Sequence, residues 1–312
     1  MTPPPIRRSV PGMERKDRID AFGAVSLVVF GIVLAFNQVV VKLGNGGFQP
    51  VFMAGIRSVG ALVVLLLWMR LRGIPLHFGK GTVGPGLLLG ALFAQEFVAL
   101  FWALDHTTVA RASLLFYTMP VILSIAAHFL LPGERLTPGR TAGLGLAMAG
   151  VALVLSGRQG GQASLAGDLA ALSGAFGWAG IALTLRLTKL SGERPEVQLF
   201  WQLGVSAVLL LAVSPLFGPF LRDPGVWHVA GLAYQILAVA SFGFLFWVFL
   251  MSIYPASGVA SFAFLTPVLS VTLGWLLLGE TLGWNIIAAL VLVALGLVLI
   301  NRPRRRAAAV AP

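Results

Sequence analysis

Three polar residues in this sequence lie inside apolar segments that would bury them in a membrane. Glu96 is near the middle of one segment, and Asn37 and Arg57 are within two earlier ones. A charged side chain at that depth is energetically costly, so it usually has a function or pairs with an opposite charge. The helical rise places all three in the same half of the membrane. They could line a cavity, with Glu96 taking up protons, or Arg57 and Glu96 could form an ion pair that holds helices together.

Polar residues also recur along the fourth apolar segment. Ser113, Tyr117, Pro120, Ser124 and His128 are 4, 3, 4 and 4 positions apart, which predicts one polar face on a single helix. Such a face must contact protein or water rather than lipid. We therefore predict that Ser113 and Tyr117 line a cavity. His128, near the end of the segment, is a candidate proton carrier, or it reaches the membrane surface.

The ninth apolar segment carries a similar set of residues, Ser261, Phe264 and Pro267. We predict that Ser261 and Phe264 line the same cavity. A proline frees a backbone carbonyl group and can bend a helix. Because Pro120 and Pro267 occur in both segments, we predict that these helices flex as gates or shape the cavity. An ordinary packing kink is the alternative.

Trp178 differs from most of the eight tryptophans, which lie near segment ends where interfacial belts form. It lies in the middle of its segment, and an aromatic wall there would suit a flat aromatic or cationic substrate. Core packing explains the position equally well. Ser241 aligns with Glu96 in the second half of the chain, and it completes the predicted cavity residues.

Other kinds of chemistry find no support in the sequence. There is no cysteine, and the four histidines lack metal-ligand spacing, so we expect no metal site. Gly79-Lys80 is followed by glycine rather than serine or threonine, so we expect no ATP hydrolysis. An intramembrane serine enzyme would need a nearby base, but Ser113 and His128 are 15 residues apart on one helix. We expect no enzymatic activity and no cofactor.

Composition decides the class of protein. Of the 312 residues, 58% are hydrophobic and 11% are charged, whereas soluble domains have about 45–50% and about 25%. So few charges cannot cover a surface in water, which excludes a nucleic-acid-binding protein despite the net charge of +11. The long apolar runs exclude a disordered chain. The expected partners are therefore the lipid bilayer and a small molecule, without an obligate protein partner.

Ten apolar segments approach the length of about 20 residues that crosses a bilayer as a helix. The predicted architecture is an all-α integral membrane protein with short loops marked by glycine and proline. The predicted spans are 20–43, 49–71, 83–105, 107–131, 138–155, 167–189, 195–217, 226–250, 255–278 and 282–300.

Positive charges predict the orientation of these spans. With the N-terminus in the cytoplasm, 17 Lys and Arg residues flank the spans on that side and four flank them on the other. This asymmetry follows the positive-inside rule. We predict a multi-pass protein of the bacterial inner membrane with both termini cytoplasmic. Its N-tail would be 1–19 and its basic C-tail 302–312.

The two halves of the sequence resemble each other. Glu134 and Glu280 are 146 positions apart, and Pro120 and Pro267 are 147 positions apart. A near-constant offset over five spans indicates a duplication, which divides the chain into five-helix repeats at 20–158 and 159–301. Because five is odd, the second repeat must enter the membrane inverted. Inverted repeats with a site near the midplane are typical of secondary transporters.

Both halves resemble the EamA domain, which occurs twice in ten-helix members of the drug/metabolite transporter superfamily. The residues that carry this resemblance are Pro120, Leu-Pro-Gly-Glu134-Arg-Leu and Gly150, then Pro267, Leu-Gly279-Glu280-Thr-Leu and Gly296. The resemblance implies export of small metabolites by alternating access. The distribution of Phe, Trp and small residues resembles the YddG-type branch, which implies export of amino acids, including aromatic ones. A passive facilitator and a drug or cation exporter of the same fold are the alternatives. We interpret Glu134 and Glu280 as helix caps and loop anchors.

Overall fold

The computed structural model describes residues 16, 19–131, 136–157, 164–254, 262 and 265–301, and nearly all of these are helical. Eight helical stretches are long and apolar enough to cross a membrane, and two shorter apolar helices follow them. The helices are α1 (Ala21–Gly47), α2 (Pro50–Leu71), α3 (Val83–His106), α4 (Val109–Phe116), α5 (Met119–Leu130), α6 (Pro138–Ser156), α7 (Leu165–Leu187), α8 (Pro195–Val213), α9 (Val226–Tyr234), α10 (Phe244–Ile253), α11 (Leu265–Leu278) and α12 (Trp284–Asn301).

Short polar side chains start several of these helices. Asp20, Thr108, Thr137 and Ser164 each accept a hydrogen bond from the backbone N–H group three positions later, and they cap α1, α4, α6 and α7. Such caps satisfy donors that have no partner within the helix. We call the end of the bundle that holds Ala21 the tail end, and the end where α1 and α3 finish and α4 begins the far end.

The first helix is longer than predicted. The predicted spans 20–43 and 49–71 leave a short turn at 44–48, but the run Gly44-Asn45-Gly46-Gly47 continues α1. The Asn45 side chain donates a hydrogen bond to the carbonyl oxygen of Phe101 at 3.0 Å. A Cβ atom on Gly44 would lie 2.7 Å from Met53 Sδ, so glycine lets α1 and α2 approach closely. The predicted turn is wrong because these glycines serve helix packing.

The fourth predicted span is divided into α4 and α5 by a turn at Tyr117 and Thr118. Pro120 lies in the first turn of α5, where it has no N–H group to donate to the carbonyl of Phe116. The prediction of a single uninterrupted helix along this span is therefore wrong.

The eighth predicted span contains a π-helix, Gln235–Gly243, between α9 and α10. The hydroxyl group of Ser241 donates a hydrogen bond to the carbonyl oxygen of Ile236, five positions earlier, at 2.7 Å. π-helical turns are rare in proteins, and they often occur at functional sites. The sequence analysis did not predict this feature.

Helix pairs that are related by the sequence repeat make corresponding contacts. In the repeat, α1 corresponds to α7 and α11 corresponds to α4 and α5; α1 packs against α11, and α7 packs against α4 and α5. Likewise α3 corresponds to the π-helix and α8 to α2; α3 packs against α8, and the π-helix packs against α2. The pairs α6–α12, α2–α8 and α4–α11 each join equivalent helices of the two halves. α6 and α12 meet at two glycines, where a Cβ on Gly143 would lie 2.8 Å from the carbonyl oxygen of Gly296. Neither of these two helices lines the cavity described next.

Candidate functional site

A cavity of 330 Å³ lies inside the bundle between helices of both halves of the chain. Leu27 on α1 and Leu199 on α8 line it near the tail end, and Asn37, Arg57 and Glu96 line it at mid-depth. The cavity therefore occupies the middle of the bundle and the half towards the tail end. Its walls include nine aromatic residues: Phe30, Phe93, Phe97, Phe116, Tyr117, Trp178, Phe244, Trp247 and Phe262.

The aromatic side chains pack against one another around the turn between α4 and α5. The ring of Trp178 stacks on Phe116, with centroids 5.1 Å apart and planes 19° apart. Tyr117 meets Trp178 edge-on at 5.6 Å, and its hydroxyl group lies beside the side chains of Gln38 and Thr266. Tyr117 lies directly after α4, and its ring lines the cavity.

Polar side chains form a second part of the wall. Asn37, Gln38, Arg57 and Glu96 are all buried, with exposed fractions of 7%, 3%, 5% and 6%. Asn37 Oδ1, Gln38 Oε1, Arg57 Nε and Arg57 Nη1 have no hydrogen-bond partner. Buried polar atoms are rarely left without partners, so this set suits a polar ligand or water.

Arg57 and Glu96 share the cavity wall without forming an ion pair; the ion pairs of the described residues lie elsewhere. The guanidinium group of Arg57 instead stacks over the ring of Phe97, with Cζ 4.2 Å from the centroid. A cation over an aromatic face is attracted by about 0.5–2 kcal/mol. The alternative prediction, an ion pair between Arg57 and Glu96 that holds helices together, is therefore wrong.

The far end is closed by hydrogen bonds within the first half of the chain and between the two halves. Lys42 donates to the carbonyl oxygens of Leu104 and Thr107 at 3.1 and 2.6 Å. Arg111 on α4 pairs with Asp168 on α7, with Nη2 2.5 Å from Oδ2. Both members of this pair are buried, so it links the repeats away from water.

The loop between α8 and α9 also fastens the far end. Phe48 and Leu221 form an isolated β-bridge, and Phe52 stacks on Phe220 with centroids 4.8 Å apart. The hydrogen bonds of Arg222 to Asp105, both 2.8 Å long, raise the pKa of Arg222 above its ordinary value. These contacts join the two halves of the chain at the far end.

The structure brings some of the predicted site residues together and separates others. Asn37, Arg57, Glu96, Tyr117 and Trp178 line the cavity. Ser113 and Ser241 do not line it: Ser113 is fully buried, and the hydroxyl group of Ser241 bonds within the π-helix.

The predicted gating and proton-carrier residues outside this set lie away from the cavity wall. Pro120 and Pro267 lie in the first turns of α5 and α11 without lining the cavity. His128 Nδ1 accepts a hydrogen bond from the backbone N–H group of Leu136 at 3.2 Å. Ser261 and Phe264 lie outside the described residues.

Several cavity residues escaped the sequence analysis. Gln38, Gln202 and Thr266 supply polar groups, and Val239 and Ala240 come from the π-helix. Gln38 and Gln202 carried a usable signal, because an amide inside a membrane span must find a partner. In the described residues, no group of three or more acidic or histidine side chains could hold a metal ion.

Comparison with known proteins identifies the family. The profile of the EamA-like transporter family matches residues 21–156 and 165–302. The chain belongs to this family. The two EamA repeats that the sequence resemblance indicated are thus confirmed, and the chain is a multi-pass membrane protein.

Individual relatives of this EamA-family chain are transporters by name. A "Probable amino-acid metabolite efflux pump" of Salmonella typhimurium is 27% identical over 302 residues, covering 91% of this chain and 94% of that protein. The "Aromatic amino acid exporter YddG" of Ancylobacter novellus is 30% identical over 236 residues, covering 70% and 74%. A crystal structure with 25% identity superposes with a TM-score of 0.62 and covers 90% of this chain and 98% of its own.

Proposed function

We propose that this chain is a secondary transporter that exports small metabolites, above all amino acids including aromatic ones, by alternating access. The observation that carries the proposal is the cavity inside the bundle, with its aromatic walls and unpartnered polar atoms. Its 330 Å³ lies near the lower limit of small-molecule pockets, which span about 300–1,000 Å³. A small metabolite fits such a volume better than a drug-sized molecule.

The relatives support the same substrate class. Two of them are named for amino-acid metabolite efflux and for export of aromatic amino acids. Nine aromatic side chains in the wall suit an aromatic substrate, because ring-on-ring packing adds about 0.5–1.5 kcal/mol beyond buried area.

We further propose ten spans in two inverted repeats, placed in the bacterial inner membrane with both termini cytoplasmic. The matching contacts of repeat-related helices support the inverted arrangement. In this orientation the tail end faces the cytoplasm, and the closed far end faces the opposite side. The described state would then be open towards the cytoplasm, from which an exporter loads its substrate.

Glu96 is our candidate for coupling transport to protons. It is a buried carboxyl group on the cavity wall, where a proton and a substrate could compete. His128 is the weaker candidate, because it lies outside the cavity wall and accepts a hydrogen bond from the loop backbone. Pro120 remains a proposed gate, because it borders the turn that presents Tyr117 to the cavity.

Other functions fit this geometry less well. A cation exporter would have to place its substrate beside Arg57, a buried cation on the same wall. A passive facilitator with the same cavity is the closest alternative, and it differs in having no response to a pH gradient. An intramembrane enzyme would need a nucleophile and a base in the cavity, and neither Ser113 nor His128 lines it.

The test is transport by the purified protein in liposomes. The twenty amino acids are screened as competitors of labelled phenylalanine, with and without a pH gradient. We expect competition by aromatic amino acids and faster accumulation with the gradient. Glu96→Gln should still exchange labelled for unlabelled amino acid across the membrane but should lose the response to the pH gradient. The control Glu196→Gln, which lies outside the cavity, should behave as wild type. Exchange without any effect of the gradient in wild type would identify a facilitator, and no exchange would overturn the proposal.

A further inference from the structure

Two arginines in the described part of the chain are equally buried but differ in their surroundings. Arg57 and Arg111 are each 5% exposed. Arg111 donates hydrogen bonds to Asp168 and to the carbonyl oxygens of Val154 and Gly157. Arg57 faces the cavity, and its Nε and Nη1 atoms have no partner. Unpartnered donors on a buried guanidinium group are costly, so this group suits an anion that arrives with the substrate.

The guanidinium group of Arg57 lies over the ring of Phe97. Arg57 Cζ lies 4.2 Å from the centroid of Phe97 and 5.9 Å from that of Phe101. The Nε and Nη1 atoms of Arg57 remain without a partner. A guanidinium group is a preferred donor to carboxylates, to which it donates charge-assisted hydrogen bonds.

Asn37 and Gln38 supply acceptors on the same cavity wall. Asn37 Oδ1 and Gln38 Oε1 have no partner, and both side chains are more than nine-tenths buried. The side chain of Gln38 also interacts with the hydroxyl group of Tyr117, so its orientation is held from another helix. An ammonium group has three donors and no acceptor, which complements free amide oxygens.

We propose that the cavity recognises the zwitterionic head of an α-amino acid, with Arg57 binding the carboxylate and the amide oxygens of Asn37 and Gln38 binding the ammonium group. This inference rests on the proposed function and specifies the substrate class. The aromatic wall around Trp178 and Phe116 then accommodates the side chain. Amines without a carboxylate and acids without an ammonium group are poor substrates.

The experiment uses the full chain in liposomes and three inhibitors with the same phenyl ring. Exchange of labelled L-phenylalanine is inhibited by phenylalanine, by phenethylamine, which lacks the carboxylate, and by 3-phenylpropionate, which lacks the ammonium group. A site built to pair a substrate group discriminates strongly against analogues that lack it, so each analogue should inhibit at least about tenfold more weakly than phenylalanine.

Substitutions then assign each group of the substrate. Arg57→Gln should remove the preference for phenylalanine over phenethylamine, and Asn37→Leu with Gln38→Leu should remove the preference over 3-phenylpropionate. Arg57→Lys keeps the charge but loses the planar guanidinium group with its five N–H donors, so the first preference should fall several-fold without disappearing. The control is Arg72→Gln, an exposed arginine at the end of the same helix, which should keep both preferences.

Direct binding of labelled phenylalanine to purified protein accompanies the exchange assay, and elution on size exclusion checks the folding of each variant. If Arg57→Gln does not fold, the Arg57→Lys comparison decides. Equal inhibition by phenethylamine and phenylalanine in wild type overturns the inference. An intact preference in folded Arg57→Gln or Arg57→Lys overturns the role of Arg57, while amino-acid transport stands. If no amino acid is bound or exchanged, the proposed function fails together with the inference.

Discussion

The carboxylate of Glu280 lies 2.6 Å from the backbone nitrogen of Val109, although the two residues are 171 positions apart. Its second oxygen accepts a hydrogen bond from Ala110 at 3.0 Å. Val109 and Ala110 begin α4, and the start of a helix has free N–H groups and a positive dipole end. Glu280 therefore caps a helix of the other repeat and helps to close the far end.

Removing this cap should destabilise the protein. Glu280→Ala leaves two buried N–H groups without partners, and each costs about 1–3 kcal/mol. We expect a lower thermal unfolding midpoint in detergent, with a smaller decrease for Glu280→Gln, which keeps one acceptor. Glu196→Gln serves as the control and should leave the midpoint unchanged. A wild-type midpoint for Glu280→Ala would show that the cap contributes nothing.

The two ion pairs at the far end should differ in their contribution to stability. Arg111 and Asp168 have side chains that are 5% and 1% exposed, whereas those of Arg222 and Asp105 are 38% and 17% exposed. Arg111→Gln leaves a buried charge and should cost about 3–5 kcal/mol. Arg222→Gln should cost about 0–1 kcal/mol, because solvent screens the pair. Chemical unfolding of both variants measures the difference, and equal losses would contradict the role of burial.

Trp178 should determine the preference for aromatic substrates. Its ring stacks on Phe116 and borders the cavity. A ring contact contributes about 1 kcal/mol, so Trp178→Ala should reduce the preference for phenylalanine over alanine roughly fivefold. Competition in liposomes measures this ratio. Trp275 is 54% exposed on α11, and Trp275→Ala should leave the ratio unchanged. A fall in overall transport with an unchanged ratio would assign Trp178 to packing alone.

The start of α1 should respond to acid. Hydrogen bonds from Lys16 and then from Tyr254 and the backbone of Gly23 hold the pKa of Asp20 well below its usual range. A carboxyl group with a lowered pKa contributes stability above its unfolded pKa of about 3.9, and this contribution is lost as the pH falls towards the folded value. We expect Asp20→Asn to be less stable than wild type at pH 7, and this difference to shrink below about pH 4. A difference that stays constant from pH 7 to pH 3 would show that the charge of Asp20 does not stabilise the fold.

The proposed orientation predicts where tags become accessible. Reporter tags fused at residues 1 and 312 should both report the cytoplasm, and a tag inserted near residue 160 should report the opposite side. The charge asymmetry of the flanks is the physical reason. A C-terminal tag on the side of the membrane opposite the cytoplasm would contradict both the number of spans and the inverted repeat.

The sequence by itself determined the membrane class, the duplication and most of the helix positions. These are properties of composition and of spacing along the chain, which do not depend on how the chain folds back on itself. The same reasoning selected Asn37, Arg57 and Glu96, because polar groups in long apolar segments are costly wherever the helices pack.

The tertiary structure alone decided which polar residues share a cavity. Ser113 and Tyr117 are four positions apart in one predicted polar face, yet Tyr117 lines the cavity and Ser113 does not. The two residues are joined by a helical hydrogen bond from Tyr117 N–H to the carbonyl oxygen of Ser113 at 2.9 Å, so the difference arises from packing between helices. The π-helix and the position of Arg57 over Phe97 also went unpredicted, and the cap that was predicted for Glu280 forms on α4 of the other repeat. Each of them depends on the local hydrogen-bond pattern of the backbone or on contacts between residues on different helices, which the pattern along one segment does not encode.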